Sequence, residues 1–414
     1  MSNALVVFED RHWRDLRPLT DLAAVPALAF GASCLAERLA SFAGLPLALI
    51  AARPAAIAGC RSAPRQAGAI DTGTRNVIFA NGAAMPGPWL RELVAADGAL
   101  LLRNGERILG ARVAVDAARA ILASSDIDEQ LGAAGLADRS AEARVLAHPW
   151  EIVEWNAEAI AADLAQMPPG MRGDVHASVA VLGDGRVAVE SGARVDPFCV
   201  IDARHGPVLV RKRALIGPHT VLVGPCVVGE GTQLLGGVIS RTTLGRECRV
   251  AGEVEECVWQ GYGNKRHHGF VGHSVIGEWV NLGALTTTSD LKNNYGPVRV
   301  TVDGKDLDTG SNKVGSLVGA HVKTGIGTLL PTGAVVGVGA NLFGGGRFAP
   351  KSVPSFAWWD GERMSEHRLD AFTKSARIAM SRRKEEAGPA DEQAWTALFE
   401  ATRRERLGPP SSAA

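Results

Sequence analysis

The chain has 414 residues, with 44 basic and 44 acidic side chains and a formal net charge of zero. This length predicts two or three domains, and the balanced charge argues against a nucleic-acid partner held by a basic field. The most apolar run, residues 45–58, is too short to span a bilayer and contains Arg53 and Pro54. The N-terminal residues MSNALVVFED lack the pattern of a secretory signal. We therefore expect a cytoplasmic protein with no nucleic-acid and no membrane partner.

Short apolar runs alternate with helical patterns in the first part of the chain, and this alternation predicts an open α/β layer. The domain is expected to span residues 1–147. The runs predict strands at 4–8, 47–51, 76–80 and 99–102 and helices at 31–42 and 89–96.

A helical linker is predicted at residues 148–173. Trp150, Val153, Ile160 and Leu164 are spaced for one helix face, and Pro168-Pro169-Gly170 ends the pattern.

Aliphatic residues recur every six positions across much of residues 174–350. This period describes one flat side of a three-sided solenoid, in which the aliphatic side chain points into a buried stack and the Gly that often follows allows a tight corner. Three sides make a coil of roughly 18 residues, so about nine coils fit the segment. Residues 205–213 and 254–265 break the period and are predicted to loop out. The period is kept by Ile216, Leu222, Val228, Leu234, Leu244, Val250, Ile276, Leu282, Val318, Leu330, Val336 and Leu342.

The last part of the chain, residues 351–414, leaves the six-residue pattern and contains charged helical sequence at 362–384 and 391–406. The last coil of a solenoid exposes unpaired backbone groups and an apolar cross-section. A C-terminal helical cap is therefore predicted.

The N-terminal run VVFEDRHWRDLRPLT resembles the phosphate-loop signature of sugar nucleotidyltransferases at Leu16 and at Pro18-Leu19-Thr20. In that family, glycines let backbone amides close on nucleotide phosphates. Here Asp10, Arg11 and Trp13 stand at the glycine positions, and Ala83 follows Gly82 where the family carries a magnesium-binding Asp. The resemblance thus implies Mg²⁺ only if the N-terminal domain is active.

The runs LRPLTDL, HPWEIVEWN, NKRHHGFVGHSVIGEWVNLGA and LKNNYG resemble a branch of the sugar nucleotidyltransferases. The domain order is similar to that of the bifunctional N-acetylglucosamine-1-phosphate uridyltransferase/glucosamine-1-phosphate acetyltransferases. This resemblance implies a nucleotidyltransferase-like Rossmann-type α/β domain followed by an all-β left-handed parallel β-helix of hexapeptide repeats, with a helical cap and a homotrimeric assembly.

An acetyltransferase of this architecture moves an acetyl group from acetyl-CoA to an amine, which must first lose a proton. Histidine, with an ordinary pKa of about 6.5, is a suitable base. Without gaps, the family's motif places its catalytic His on His267, its Tyr on Phe270, its Asp on His273 and its Asn on Asn281. His267 is the first choice for the base and His273 the second, while Asn281 is expected to contact the sugar or the thioester.

Further residues are assigned to ligands by their type and by the resemblance. Lys265 could bind a phosphate of the sugar as a point charge. Residues 292–295 stand where related enzymes carry an Asn-Tyr substrate loop. Later coils of related acyltransferases carry coenzyme A, whose phosphates are held by basic side chains. The candidates are Lys292, Asn294 and Tyr295 for the substrate and His321, Lys323 and Arg347 for coenzyme A.

Three functions stay open on the sequence. The first is acyl-CoA-dependent N-acyl transfer to an amino sugar phosphate or a nucleotide sugar. The second is nucleotidyl transfer to a sugar 1-phosphate by a rebuilt phosphate loop, and the third is a non-catalytic sugar-nucleotide-binding scaffold. Zinc bound by His267, His268 and His273 is a further alternative, but no carboxylate or Cys completes an evident ligand set, so no metal is predicted.

Overall fold

The computed structural model describes residues 2–61, 70–124, 126–165 and 167–407. The described residues form two compact units. The N-terminal unit comprises Met1–Leu16, Ala23–Leu28 and Ser33–His148, and the solenoid unit comprises Arg17–Leu22, Ala29–Ala32 and Pro149–Ala414. Parts of the predicted N-terminal domain, linker and cap, namely residues 1, 62–69, 125, 166 and 408–414, lie outside the described residues.

The described residues up to 148 carry eight strands and five α-helices, besides short 3₁₀-helices at Arg11–Leu16 and Val25–Ala27. The strands are β1 Ser2–Phe8, β2 Ala29–Phe30, β3 Ser33–Cys34, β4 Leu47–Ala51, β5 Thr74–Asn81, β6 Leu100–Asn104, β7 Arg107–Ala114 and β8 Ala137–Ser140. The helices are α1 Leu35–Ala43, α2 Pro54–Ala58, α3 Pro88–Ala95, α4 Val115–Leu122 and α5 Ile127–Ala133.

A six-stranded sheet in the order β4-β1-β5-β7-β6-β8 forms the centre of the N-terminal unit. β1 is parallel to both β4 and β5, whereas β7 is antiparallel to β5 and β6. Trp89 and Leu93 of α3 pack on one side of the sheet, and Ile121 of α4 packs on the other. The predicted α/β fold is confirmed. The antiparallel β7 was not predicted.

The solenoid unit is a left-handed parallel β-helix of about 11 turns. Its first face is formed by β9 Gly170–Met171, β12 Val187–Val189, β15 Val208–Val210, β18 Cys226–Val228, β20 Thr243–Leu244, β22 Val258–Trp259, β25 Val275–Ile276, β30 Leu317–Val318, β33 Val335–Val336 and β35 Ser352–Val353.

The second face is formed by β10 Asp174–Val175, β13 Arg194–Val195, β16 Leu215–Ile216, the first part of β19 Gln233–Ser240, the first part of β21 Arg249–Glu255, β23 Asn264–Lys265, β26 Asn281–Leu282, β31 Lys323–Thr324, β34 Asn341–Leu342 and β36 Ala357–Trp359. The third face is formed by β11 Ala180–Leu182, β14 Val200–Asp202, β17 Thr220–Val223, the ends of β19 and β21, β24 Phe270–Gly272, β27 Thr287–Thr288 and β32 Leu329–Leu330.

The interior of the β-helix confirms the six-residue pattern. All twelve of the aliphatic residues that kept the predicted period are buried in one continuous core. Parallel pairing stacks them coil on coil, as in Ile216 beside Leu234 and Leu234 beside Val250. Burying such a stack removes apolar surface from water at about 25 cal/mol per Å², so the repeat itself supplies much of the stability of the fold.

The segments predicted to loop out are instead regular coils, which corrects that expectation. β15 lies within residues 205–213, and β22 and β23 lie within residues 254–265. The inward residues Leu234, Val250, Lys265 and Leu282 are 16, 15 and 17 positions apart, because some corners are shorter than in a full coil. The six-residue pattern of aliphatic residues is also interrupted because the inward residue of one coil is a lysine.

One true insertion interrupts the β-helix between β27 and β30. It carries an antiparallel hairpin made of β28 Arg299–Val302 and β29 Lys305–Asp308. Although the insertion separates them in sequence, Asn281 of β26 pairs directly with Lys323 of β31. The coils on either side of the insertion therefore stack as neighbours.

The predicted linker consists of two helices, α6 Glu151–Glu154 and α7 Asn156–Ala165. Ile160 and Leu164 of α7 pack on Leu209 and Val227 of the first face. Two of the four residues in the linker pattern therefore pack on the β-helix, and the one predicted helix is two.

Two short segments from the beginning of the chain belong to the solenoid unit. The Gly31 amide donates to Asn156 Oδ1 over 2.9 Å, and the Thr243 hydroxyl donates to the Gly31 carbonyl over 2.8 Å. Arg211 Nη2 donates to the Ala32 carbonyl over 2.5 Å. Residues 29–32 thus satisfy buried polar groups of the β-helix.

Parallel pairing continues past residue 350, where the solenoid was predicted to end. β35 and β36 pair in parallel with β33 and β34, so the coils extend to Trp359. β37 Met364–Glu366 then pairs antiparallel with β36 and covers the last edge of the second face. Three helices follow, α8 Leu369–Ser381, α9 Pro389–Ala401 and α10 Arg403–Leu407.

The C-terminal helices pack along the side of the last coils. Phe372 of α8 and Trp395 of α9 contact the His321 ring edge-on, with ring centroids 5.6 and 5.4 Å away. The Tyr262 hydroxyl donates to Glu385 Oε1 over 2.8 Å. The helices therefore cover a flank of the β-helix, while β37 covers its end. In the described ranges, no helix is long and apolar enough to cross a membrane.

Candidate functional site

His267 lies at the corner between the second and third faces, two residues after β23. Its side chain is exposed, and it makes no hydrogen bond, ion pair or ring contact with any residue that the structure describes. The next residue, His268, accepts a backbone hydrogen bond at its carbonyl from Leu285 of the following coil over 2.8 Å. We call residues 266–269 the His267 corner. Its imidazole is accessible to a ligand.

Exposed apolar side chains continue this corner along the following coils. Leu285 is 58% exposed, Ile326 is 72%, Phe343 is 40% and Phe348 is 63%. We call these four residues the apolar edge. Since exposed apolar patches commonly mark binding surfaces, the edge beside His267 is a candidate surface for a ligand or a neighbouring subunit.

Asn281 belongs to a polar ladder on the outside of the second face. Parallel pairing aligns Asn264 with Asn281, Asn281 with Lys323, and Lys323 with Asn341 on successive coils. Neighbouring strands are about 4.8 Å apart, so these side chains line one continuous stripe. Asn264 Nδ2 donates to Asn281 Oδ1 over 2.7 Å, which fixes the Asn281 amide and leaves its own NH₂ group to donate. We call these four residues the polar stripe.

Lys323 is the charged member of the polar stripe. Its Nζ is buried and makes no hydrogen bond to any described atom. Burial lowers the pKa of Lys323 because the charged form loses its hydration. The ammonium also lowers the pKa of His367, whose Nδ1 lies 2.9 Å from the Gly339 carbonyl oxygen and whose pKa is lowered mainly by burial. An unpaired buried ammonium is stabilised by an anionic ligand.

His273, the second choice for the base, is held in a ladder of charges at another corner. Its Nδ1 lies 2.7 Å from Asp290 Oδ2, its Nε2 lies 3.2 Å from Glu256 Oε2, and the residue is only 8% exposed. Burial alone would lower the pKa of His273, but the two carboxylates raise it to about 9. Arg241 extends the ladder with a 3.2 Å ion pair to Glu256. We call these four residues the charge ladder.

This environment corrects the sequence expectation for His273. A base must be unprotonated to accept a proton, whereas a histidine with a pKa of about 9 is protonated at neutral pH. Both ring nitrogens already have carboxylate partners. The ring therefore serves the stability of the corner and is not placed to contact a substrate.

Lys265 is also placed differently from the expectation. The residue is fully buried at an inward position, and its Nζ donates to the carbonyls of Ala251 and His267, each over 2.9 Å. Burial lowers the pKa of Lys265 to about 8. A phosphate cannot reach this ammonium, so Lys265 is not a phosphate ligand.

Phe270 lies beside the charge ladder. A Cβ atom built on Gly272 would lie 2.4 Å from the Phe270 ring and 2.6 Å from Asp290 Oδ2, so both side chains pack over that glycine. A larger residue at position 272 would displace them. A substrate-binding role for the phenyl ring stays a prediction.

The predicted substrate loop lies at the start of the insertion. Lys292 Nζ donates to the Pro297 carbonyl, and Asn294 Oδ1 accepts the Gly296 amide over 3.1 Å, so both close a turn. Tyr295 is 71% exposed. The tyrosine is free to contact a ligand, whereas the other two side chains stabilise the loop.

The remaining coenzyme A candidates have separate environments. His321 is buried under α8 and α9, so a role in holding phosphate does not fit its position. Arg347 is exposed and forms a 3.0 Å ion pair with Glu362. Of the three predicted residues, Arg347 has an exposed side chain, whereas the Lys323 ammonium is buried and unpaired among the described atoms.

The N-terminal unit replaces the phosphate cradle with ion pairs. β1 is followed directly by the 3₁₀-helix Arg11–Leu16. Asp10 is buried and accepts hydrogen bonds from Asn81 Nδ2 over 2.8 Å and from Arg107 Nη2 over 2.7 Å. These side chains occupy the carboxyl ends of parallel strands, where open α/β sheets bind ligands.

A second pair fills the same end of β1. Arg53 donates to Glu9 Oε1 over 2.7 Å and lies 3.5 Å from the centroid of the Trp13 ring. Burial raises the pKa of Glu9, and Arg53 opposes that rise. The Arg53 guanidinium is thus held at the end of β1 by the Glu9 carboxylate and the Trp13 ring.

The part of the chain that the structure describes contains no cluster of three or more His, Cys, Asp or Glu side chains that could hold a metal ion. Ala83 offers no ligand atom on its side chain, and Asp10 is engaged by Arg107. The residues therefore do not fit the Mg²⁺ ion that the family resemblance implies.

Asn264, Asn341, Glu256 and Asp290 were missed by the sequence interpretation. The first two stand just before an inward residue of their coils, as Asn281 does, so alignment by coil would have found them. The carboxylates reach His273 from neighbouring coils, 17 residues away in each case, and no local spacing indicates such pairs.

The comparison with protein families supports the resemblance. Residues 5–170 match the family described as sugar nucleotidyl transferase. The N-terminal part of this chain resembles sugar nucleotidyltransferases. A bifunctional sugar-1-phosphate nucleotidylyltransferase/acetyltransferase of Sulfurisphaera tokodaii is 38% identical over 93 residues, which cover 22% of this chain and 23% of that protein.

Other relatives carry the name bifunctional protein GlmU. That of Micrococcus luteus is 32% identical over 176 residues, covering 42% of this chain and 31% of its own length. The chain spans less than half of the length of the curated relatives it matches. A solved Arabidopsis UDP-N-acetylglucosamine acyltransferase is 13% identical, covering 58% of this chain and 92% of its own, with a TM-score of 0.23, and supports no conclusion about function.

Proposed function

We propose that the β-helix transfers an acyl group from coenzyme A to the amine of an amino sugar phosphate or a nucleotide sugar. The observation that carries the proposal is the contrast between two histidines of one coil. His273 is locked and protonated by two carboxylates, whereas the His267 imidazole is exposed and free to accept a proton. The name of the Sulfurisphaera tokodaii relative, which pairs nucleotidyl and acetyl transfer, supports this class of reaction.

The reaction follows from the position of His267. The ammonium of the sugar first releases one proton to the solvent, and the neutral nitrogen attacks the carbonyl carbon of the thioester while the imidazole takes the second proton that this nitrogen loses as the amide forms. A C–N bond forms and the C–S bond breaks. The thiolate of coenzyme A leaves and takes up the proton held by His267. One amide and one thiol are formed, and the histidine returns neutral.

The polar stripe offers the binding groups for this reaction. The NH₂ group of Asn281 and the ammonium of Lys323 lie on adjacent coils. Donors of this kind bind carbonyl and phosphate oxygens. We propose that Lys323 pairs with a phosphate of coenzyme A and that Asn281 orients a polar group of the acceptor or the thioester.

The apolar edge supports a shared site in a homotrimer. Leu285 and Ile326 are exposed beside the His267 corner, and a neighbouring copy would bury them while closing the groove. We propose that each site is completed by the adjacent subunit and that the protein acts in the cytoplasm. Light scattering at micromolar concentration should give the mass of a trimer, and a monomer would contradict the shared site.

Nucleotidyl transfer is the second candidate, because the family match covers residues 5–170. The ion pairs of Asp10 and of Glu9 at the end of β1 argue against it. We propose that the N-terminal unit keeps the fold of that family without its usual chemistry.

Ligand-dependent thermal unfolding tests both candidates. A ligand that binds the native state at 100 times its Kd stabilises it by about 2.7 kcal/mol. Acetyl-CoA should raise the melting temperature, and UTP with Mg²⁺ should not. Acetyl-CoA turnover with a panel of amino sugar phosphates and nucleotide sugars then identifies the acceptor. No response to acetyl-CoA, together with a response to a nucleotide sugar, would favour the non-catalytic scaffold.

A further inference from the structure

Lys265 occupies a position in the β-helix interior that its neighbours fill with aliphatic residues. Parallel pairing places it directly beside Val250 of the preceding coil, and the register of β23 with β26 places it beside Leu282 of the next. The whole residue is inaccessible to solvent. A lysine here buries an ammonium in a stack that apolar side chains would fill at less cost.

The ammonium is satisfied by backbone groups alone among the described residues. Nζ donates to the carbonyl of Ala251 on the preceding coil and to that of His267 on its own coil, both over 2.9 Å. Gly252 makes room for it, because a Cβ atom there would lie 2.9 Å from Nζ. The glycine also has a φ of +83°, which a side chain would strain. Two coils therefore accommodate one buried amine.

The hydrogen bond from Lys265 Nζ to the His267 carbonyl is important because the His267 side chain has no partner among the described residues to hold it in place. Its imidazole makes no hydrogen bond, ion pair or ring contact with another described residue, so the position of the ring depends on the main chain of the His267 corner. That main chain is fixed from inside by Lys265 and from the next coil by the bond between His268 and Leu285. Removing the inner bond frees the corner on one side.

We infer that Lys265 is a positioning residue, whose buried amine holds the main chain of the His267 corner so that the imidazole is presented beside the apolar edge. This inference rests on the proposed acyl transfer for its catalytic consequence, but its structural part does not. It assigns to Lys265 a role distinct from phosphate binding, and it explains why a polar group is tolerated in the core.

The variant Lys265→Met tests the inference. Methionine has a similar length and no donor, so it fills the interior while removing both hydrogen bonds. We expect exchange of the Leu285 and Glu253 amides, which donate to the His268 and Gly269 carbonyls of the corner, to accelerate about tenfold when followed by mass spectrometry, in line with the loss of a charge-assisted hydrogen bond. We expect kcat to fall about ten- to a hundredfold through misplacement of the base, and KM for acetyl-CoA to stay within about twofold.

Leu282→Met is the matched control, since it changes the next residue of the same stack without touching the corner. It should leave both exchange and kcat near the parent values. Lys265→Arg keeps donors at this position, and a folded Lys265→Arg protein should protect the corner as the parent does. If Lys265→Met fails to fold, amide exchange in Lys265→Arg alone tests the inference.

Unchanged exchange of the Leu285 and Glu253 amides in folded Lys265→Met overturns the inference, as does a folded Lys265→Arg protein in which these amides exchange about tenfold faster than in the parent. Faster exchange with an unchanged kcat overturns the positioning role in catalysis. If the parent protein shows no acyl transfer with any acceptor, the proposed function fails, while the exchange result alone still decides whether Lys265 holds the corner.

Discussion

The two histidine corners of one coil differ in how completely their polar groups are paired. His273 has a carboxylate on each ring nitrogen and is nearly buried, so its charge is fixed by its neighbours. His267, six residues earlier, is exposed and has no side-chain partner among the described residues. A fully paired group stabilises a fold, whereas an accessible unpaired group can exchange protons with a ligand.

Two lysines repeat the contrast. Lys265 is buried more completely and its amine is satisfied by two carbonyls. Lys323 is partly covered and its amine has no hydrogen-bond partner in the part of the chain that the structure describes. In each pair, the sequence alone gives both residues an equal claim to the site, and their partners in the structure tell them apart. Substitutions of these residues test this distinction.

The largest effect is expected from His267→Ala. Loss of a general base typically lowers turnover about 10²- to 10⁴-fold. The affinity for acetyl-CoA should stay unchanged, because the imidazole is proposed to hold a proton and not the donor. Steady-state kinetics give the first quantity and calorimetric titration the second.

His268→Ala is the matched control for that variant, because His268 is the adjacent exposed histidine of the same corner. It should change kcat by less than about threefold, well under the effect of losing a base. If His268→Ala is the inactive variant, the assignment of the base moves by one residue. If neither matters, the β-helix does not use a histidine base.

The variant Lys323→Met should weaken the binding of acetyl-CoA about tenfold, since one charge-assisted hydrogen bond to phosphate is lost. Its melting temperature should rise, because an unpaired buried ammonium is replaced by an apolar side chain. For S-acetylpantetheine, which lacks the nucleotide phosphates, parent and variant should bind alike. A variant that weakens both donors equally would contradict the phosphate contact, and Lys374→Met on the exposed surface of α8 serves as the control.

The variant His273→Ala should chiefly destabilise the protein. It leaves the carboxylates of Glu256 and Asp290 facing each other without the ring, so the free energy of unfolding should fall by about 1–3 kcal/mol. Turnover should fall by less than about tenfold, which is under roughly 1.4 kcal/mol of barrier. Denaturant unfolding measures the first effect. Arg241→Ala, which removes an exposed member of the charge ladder, should change stability by less than about 1 kcal/mol.

The same histidine predicts a dependence of stability on pH. The folded pKa of His273 is raised to about 9, above the ordinary value, so the folded state holds this proton more tightly than the unfolded chain. Its contribution is fully present below about pH 6.5 and is lost as the pH rises towards 9. Melting temperatures between pH 6 and pH 10 should therefore fall more steeply for the parent than for His273→Gln. Parallel curves would remove the charge ladder as a source of stability.

The smallest effect is expected in the N-terminal unit. UTP or dTTP with hexose 1-phosphates and Mg²⁺ should release no pyrophosphate at ordinary enzymatic rates, because Asp10 and Arg107 fill the end of the sheet. Arg107→Ala should leave that absence unchanged while lowering stability. Clear pyrophosphate release by the parent would promote nucleotidyl transfer over acyl transfer.

The repeat allowed most of the fold to be predicted. A six-residue period reports a stack directly, and every aliphatic residue that kept the period is buried in it. The coil of Lys265 was not predicted from the sequence, because its inward position carries a charge and the neighbouring corners are short. The antiparallel β7 was also not predicted, because its pairing with β5 and β6 depends on contacts that are distant in sequence.

The candidate site could be predicted less completely. Sequence spacing selected His267, His273 and Asn281, but it could not tell which histidine is paired, because Glu256 and Asp290 approach from neighbouring coils. It also could not separate the buried Lys265 from an exposed lysine. Partners across coils decide the chemistry of each group, and these follow from the register of the strands.

The membership of residues 29–32 in the solenoid unit bears on how this protein can be divided. A fragment that starts at residue 149 would contain every coil of the β-helix but would lack the segment that meets Asn156, Thr243 and Arg211. The buried polar groups of these residues would lose their hydrogen-bond partners, and the fragment would tend to aggregate or unfold on expression. Supplying the peptide of residues 17–32 in trans, or fusing it ahead of residue 149, is the route to a soluble half-protein. Residues 29–32 thus stabilise a domain whose sequence begins more than a hundred residues later.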